Sequence, residues 1–87
     1  MRKENARMAS QRVEVLTKAD ILRTEKNFRW TRPLPKWTTI VNGRELPVRP
    51  LVLQAADVAP NDPTNSHQAV AKLKSFGFEV RYEGRAV

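Results

Sequence analysis

The dipeptide Asn42-Gly43 interrupts two short runs of strand-forming residues, Trp37 to Val41 and Arg44 to Val48, and this constrains the fold more than any other feature of the chain. A two-residue loop of this composition suits a hairpin turn in which both central residues take positive φ. It also sets the register, with Val41 opposite Arg44 and Ile40 opposite Glu45. Pro47 has no N–H for a ladder, so the returning strand is expected to be an edge or to end there. A lone hairpin is marginal in water, and the remaining residues must supply its cover.

Upstream, Thr17 followed by Asp20 has the spacing of a capping box, which predicts a helix from Lys18 to about Asn27 with Ile21 and Leu22 on its apolar side. The preceding residues, Arg12 to Leu16, are consistent with a short strand or with a first helical turn. Residues 1–11 are polar and charged, and are expected to be a flexible basic tail. Between helix and hairpin, Pro33 and Pro35 bias their predecessors towards extended backbone, so residues 28–37 should form an extended connector.

Downstream, Pro50 fits the first position of a short buried helix carrying Leu51, Val52, Leu53, Ala55 and Ala56, which should end near Val58. A turn cluster at 59–65 leads to a second helix, Ser66 to Phe76, whose Ala69, Val70, Leu73 and Phe76 recur at helical spacing. Gly77 is placed to close it. Phe78, Val80 and Tyr82 then alternate with Glu79 and Arg81, a half-buried strand followed by a short polar tail. The expected order is helix, hairpin, helix, helix, strand. This makes residues 12–87 a single small α+β domain: a three-stranded antiparallel or mixed sheet, from hairpin 37–48 plus strand 78–82, packed by three short helices. Ile40, Leu51, Leu53, Val70, Leu73, Phe78 and Val80 are its expected core.

Charge is distributed unevenly over this plan. Residues 1–49 hold 12 basic and 5 acidic side chains, whereas residues 50–87 hold 4 of each, so the entire excess of +7 lies in the first half. Such asymmetry points to an anionic polymer as partner. With no cysteine, disulfides and thiolate metal sites are excluded and a reducing compartment is acceptable. No apolar stretch approaches the length of a membrane span, and no apolar region follows the opening Met1-Arg2-Lys3-Glu4; the expectation is a cytoplasmic protein without membrane association.

Residues suited to chemistry are sparse. His67, the one histidine, falls in the first turn of the last predicted helix, where an ordinary surface role is expected. Asp57 and Asp62 are the nearest approach to a paired carboxylate, and Asp62 is explained more simply as a turn residue. Gly43, Gly77 and Gly84 each suit a turn or helix end, leaving no glycine-rich phosphate loop. No enzyme, metal site or small-molecule cofactor is expected. Two helices within 50–76 leave a helix-turn-helix open, although its proline-containing connection is longer and stiffer than that motif prefers.

The string Ile40-Val41-Asn42-Gly43-Arg44-Glu45-Leu46-Pro47-Val48-Arg49, then a short helix, then a helix closing with Phe76-Gly77-Phe78-Glu79-Val80, resembles the N-terminal head domain of ScoMcrA-type modification-dependent restriction endonucleases. The likeness covers roughly residues 17–82. It implies a DNA-binding module without cleavage, since the nuclease portion of that family has no counterpart in this sequence. Leu46 stands where the family has an aromatic and Arg49 where it has a lysine.

Together these features predict a small basic, non-catalytic nucleic-acid-binding module, with DNA favoured over RNA. Residues 28–37 interleave Arg29, Arg32 and Lys36 with Phe28, Trp30 and Trp37, a mixture suited to phosphate contact and to stacking. The expected binding residues are Arg29, Trp30, Arg32, Lys36, Arg44 and Arg49, the cations meeting phosphates and Trp30 stacking on a base. An equally structural reading makes Phe28 and Trp37 core anchors. The rival function is a protein-interaction or homo-oligomeric assembly module using the hairpin edge or the Trp30/Trp37 surface.

Overall fold

A computed structural model describes residues 12–58 and 66–87. The expected tail at 1–11 and turn cluster at 59–65, with Asp62, lie outside the described residues. Residues 12–14 form a helical turn, which settles the choice between strand and helix for that segment. The elements that follow are α1 (Lys18–Asn27), β1 (Trp37–Val41), β2 (Arg44–Pro47), α2 (Val48–Ala55), α3 (Ser66–Ser75), β3 (Glu79–Tyr82) and β4 (Arg85–Ala86). The domain is α+β, as expected, but its antiparallel sheet has four strands in the order β2-β1-β3-β4.

Helix α1 begins where its capping box predicts. The Thr17 side chain accepts from the Asp20 N–H at 3.2 Å, and the Asp20 carboxylate accepts from the Thr17 N–H at 2.9 Å. These reciprocal bonds satisfy two of the otherwise orphaned N-terminal donors. Helix α2 starts two residues before the expected Pro50. Pro47 serves as its N-cap, which puts Pro50 in the first turn, where a missing N–H is still harmless. Gly77 adopts a φ of +90° two residues past Ser75, the last residue of α3, the left-handed conformation that closes a helix.

The hairpin register agrees with the loop length: Val41 pairs with Arg44 and Ile40 with Glu45, while Asn42 and Gly43 take φ of 52° and 79°. β2 is an edge strand and ends at Pro47. The fourth strand replaces the expected polar tail. Glu83 and Gly84, with φ of 51° and 85°, make a second two-residue turn that returns Arg85 and Ala86 against Tyr82 and Arg81.

The core lies between one sheet face and the helices. Val41, Leu46 and Val80 join Val13, Ile21, Phe28, Val48, Leu51, Val52, Val70 and Leu73 in one buried cluster. Helix α2 touches both other helices as well as β1 and β2. Ile40 is a correction: it is half-buried on the opposite sheet face, between Glu45 and Glu79, and Thr39 and Val41 point inward in its place. Thr39 is fully buried because its hydroxyl donates to the Glu79 carbonyl at 2.8 Å, which removes the penalty of enclosing it. Phe78 packs on the cluster without being fully enclosed.

Candidate nucleic-acid interface

The connector between α1 and β1 owes its course to three anchors. Phe28 is 2% exposed and plugs the core at the end of α1. The Trp30 ring stacks on Phe28, with centroids 6.2 Å apart and an interplanar angle of 11°, so its position is inherited from a core residue. At the far end, the Glu83 N–H donates to the Lys36 carbonyl at 2.8 Å, tying the connector to the β3–β4 turn. Thr31 to Lys36 lie exposed between these points.

Trp30 and Pro50, the latter from the first turn of α2, form a common ridge between surface depressions. One depression, of about 400 Å³, is lined by Arg29, Trp30, Thr31, Arg32 and Pro50. Another, of about 270 Å³, is lined by Trp30, Pro35, Lys36, Trp37, Arg49 and Pro50. Between them these hollows gather Arg29, Arg32, Lys36 and Arg49, and among the described residues no carboxylate lines either. A third, on the Phe28 side of the ridge, is lined by Leu53, Gln54, Asp57 and Val58 as well as Arg29. The Arg32 guanidinium lies over the Trp30 ring, 5.6 Å from its centroid, a cation–π contact on solvent-facing surface. Lys36 has Glu83 at 3.9 Å on its flank, with both side chains mostly in solvent, where such pairs count for little.

Five of the six expected binding residues therefore meet on one surface: Arg29, Trp30, Arg32, Lys36 and Arg49. Arg44 is set apart. Its Nη1 donates to the Glu25 carboxylate at 2.6 Å and to the Glu25 carbonyl at 2.8 Å, and its Nη2 donates to the Phe28 carbonyl at 3.1 Å. Asn42 adds a 3.0 Å bond to the same carboxylate. The two residues flanking Gly43 thus fasten the hairpin to the end of α1. Glu25 is only 6% exposed, and its carboxyl is held below the ordinary value first by the Asn42 amide and then by the Arg44 guanidinium. Arg44 is thereby tied to α1 through three acceptors.

The sequence did not single out Pro50 or Pro35 as walls of this surface, and it left Trp37 open between a core anchor and a stacking surface. Trp37 does pack on the core and against Tyr82, at 4.7 Å between centroids, while also lining the second hollow. Pro50 lies twenty residues from Trp30, and no local pattern links them.

His67 is exposed on α3, and Asp57, in left-handed backbone at the end of α2, is exposed too. Among the described residues no group of three His, Cys, Asp or Glu side chains is placed to hold a metal ion, and no helix is long and apolar enough to cross a membrane. The connection of a helix-turn-helix between α2 and α3 falls in the segment outside the described residues. No family model, curated protein or solved structure matches the chain.

Proposed function

We propose that the chain is a small, non-catalytic nucleic-acid-binding module of the cytoplasm, and that it binds through the surface centred on Trp30 and Pro50. The observation that carries this reading is the convergence of Arg29, Arg32, Lys36 and Arg49 around two hollows whose walls, among the described residues, hold no carboxylate. Four cations beside two indole rings supply what a polyanion with aromatic bases requires: charge for the phosphates and a flat apolar surface for the bases. The preference for DNA over RNA rests on the resemblance to the restriction-endonuclease head domain. Arg44 is assigned to stability, which moves the phosphate-binding role onto the connector and the start of α2.

Fluorescence anisotropy against labelled DNA and RNA at several salt concentrations tests the reading. Each phosphate contact contributes about 0.7–0.9 to the slope of log affinity against log salt. Replacing Arg29 and Arg32 together by alanine should lower that slope by about 1.5 while leaving the fold intact. Absence of binding to either polymer, or an unchanged slope in the double variant, overturns it; in the first case a protein partner or self-association becomes the better assignment.

A further inference from the structure

We infer that the ridge formed by Trp30 and Pro50 is a seat for unpaired nucleotides, and that the module selects single strands over duplex. This rests on the nucleic-acid reading above and goes beyond it by naming the state of the polymer.

Three observations converge on this. First, the cations of the surface come from an extended connector and from the first turn of α2, and they surround concave hollows. Duplex readers usually present a helix or a two-stranded ribbon that enters a groove. Here β2 of the hairpin has Arg44 turned back to Glu25, and the ring surfaces lie in hollows beside Lys36 and Arg49. Second, the hollow between Trp30 and Trp37 is walled mainly by flat apolar groups, namely two indoles, Pro35 and Pro50, with Lys36 and Arg49 as its polar lining. A base can lie against such walls only if its face is exposed, and in a duplex both faces are covered by neighbouring pairs. Third, the ridge is shared: Trp30 and Pro50 also wall the adjoining hollow that holds Arg29 and Arg32. A strand crossing the ridge would lay a base in the Trp30–Trp37 hollow and bring the next phosphate towards Arg29 and Arg32. Charge complementarity favours this occupant over an apolar peptide, because the charged side chains among the described residues that line the two hollows are Arg29, Arg32, Lys36 and Arg49.

Trp30 is a suitable platform because it is held before any ligand arrives. Its ring rests on buried Phe28, and a stacking base would take the place of the exposed Arg32 guanidinium over the ring, so the indole itself loses little conformational freedom.

The test compares a labelled oligothymidine of twelve nucleotides with a blunt-ended, fully paired DNA duplex of twelve base pairs, affinities being compared per phosphate at one salt concentration, for the wild-type chain, Trp30→Leu and Trp30→Phe. Stacking of one base changes affinity by roughly 5- to 150-fold. The single strand should bind at least about 5-fold more tightly than the duplex; Trp30→Leu should lose a factor in that range for the single strand only, and Trp30→Phe, which keeps a ring, should recover most of it. Should Trp30→Leu fail to fold, emission of the single-tryptophan Trp37→Phe protein replaces it as readout, and the single strand should quench Trp30 where the duplex does not. Equal affinity for both forms, tighter duplex binding, or a silent Trp30 overturns the single-strand inference while the nucleic-acid reading stands. Binding to neither form overturns both.

Discussion

Replacing Arg44 by alanine separates the two roles that a basic residue in this chain can have. The guanidinium donates to the carbonyls of Glu25 and Phe28, at 2.8 Å and 3.1 Å, and with its side chain removed those acceptors lose their partner between the hairpin and α1. At about 1 kcal/mol net for each of the two bonds, the loss is about 2 kcal/mol. The ion pair with Glu25 is left out of that sum, because 43% of the arginine side chain is exposed and solvent screens it. For a domain of this size, about 4–8 °C of Tm accompanies each kcal/mol, so the melting temperature should fall by roughly 8–16 °C. Circular dichroism melts at neutral pH measure this directly, with Arg29→Ala, at an exposed position, as a control that should melt within a few degrees of wild type. A fall of less than about 3 °C for Arg44→Ala, or equal falls for the two variants, would refute the structural assignment.

The same variant carries a pH signature. Glu25 has its carboxyl below the ordinary 4.5, so its contribution to stability is present above that value and is lost as the pH falls through the lower, folded one. Removing Arg44 takes away part of the cause and leaves the Asn42 bond. The gap in Tm between wild type and Arg44→Ala should therefore narrow as the pH is lowered below 4.5.

Other variants probe the frame around this contact. Thr17→Ala removes the hydroxyl half of the capping box and should cost about 1 kcal/mol, seen as a lower denaturant midpoint with an unchanged slope. Gly77→Ala meets no atom within 4 Å of its new Cβ, so its cost is that of the backbone alone; at a φ of +90° this should be roughly 1–2 kcal/mol, read by the same melts.

How far the sequence foretold this domain depended on whether the signal was local. Asn42-Gly43 determined a turn and a register because two-residue loops allow few geometries, and Thr17 with Asp20 located a helix start because capping groups act within one turn. The inward face of β1 was misjudged for a related reason. Its residues Trp-Thr-Thr-Ile-Val contain no charged side chain to mark the outer face, and a threonine reads as polar until its hydroxyl finds the Glu79 carbonyl, forty residues away. β4 was missed because it has two residues and its turn, Glu83-Gly84, lacks the usual Asn or Asp. Arg44 counted as one more surface cation because its partner Glu25 lies nineteen residues earlier, on another element. The candidate surface was legible to the extent that it is contiguous: Arg29, Trp30, Arg32 and Lys36 stand in one segment, whereas the wall formed by Pro50 exists only through the packing of α2.

The assignment of a nucleic-acid surface to the Trp30–Pro50 ridge is tested most directly by titrating the isotope-labelled chain with oligothymidine and following amide and indole resonances. The predicted result is a set of shifts confined to residues 28–37 and 48–50, with the Trp30 indole moving most and Asn42 to Glu45 nearly still. Shifts centred on α3 or on the outer sheet face around Ile40 and Arg81, or none at all, would contradict it.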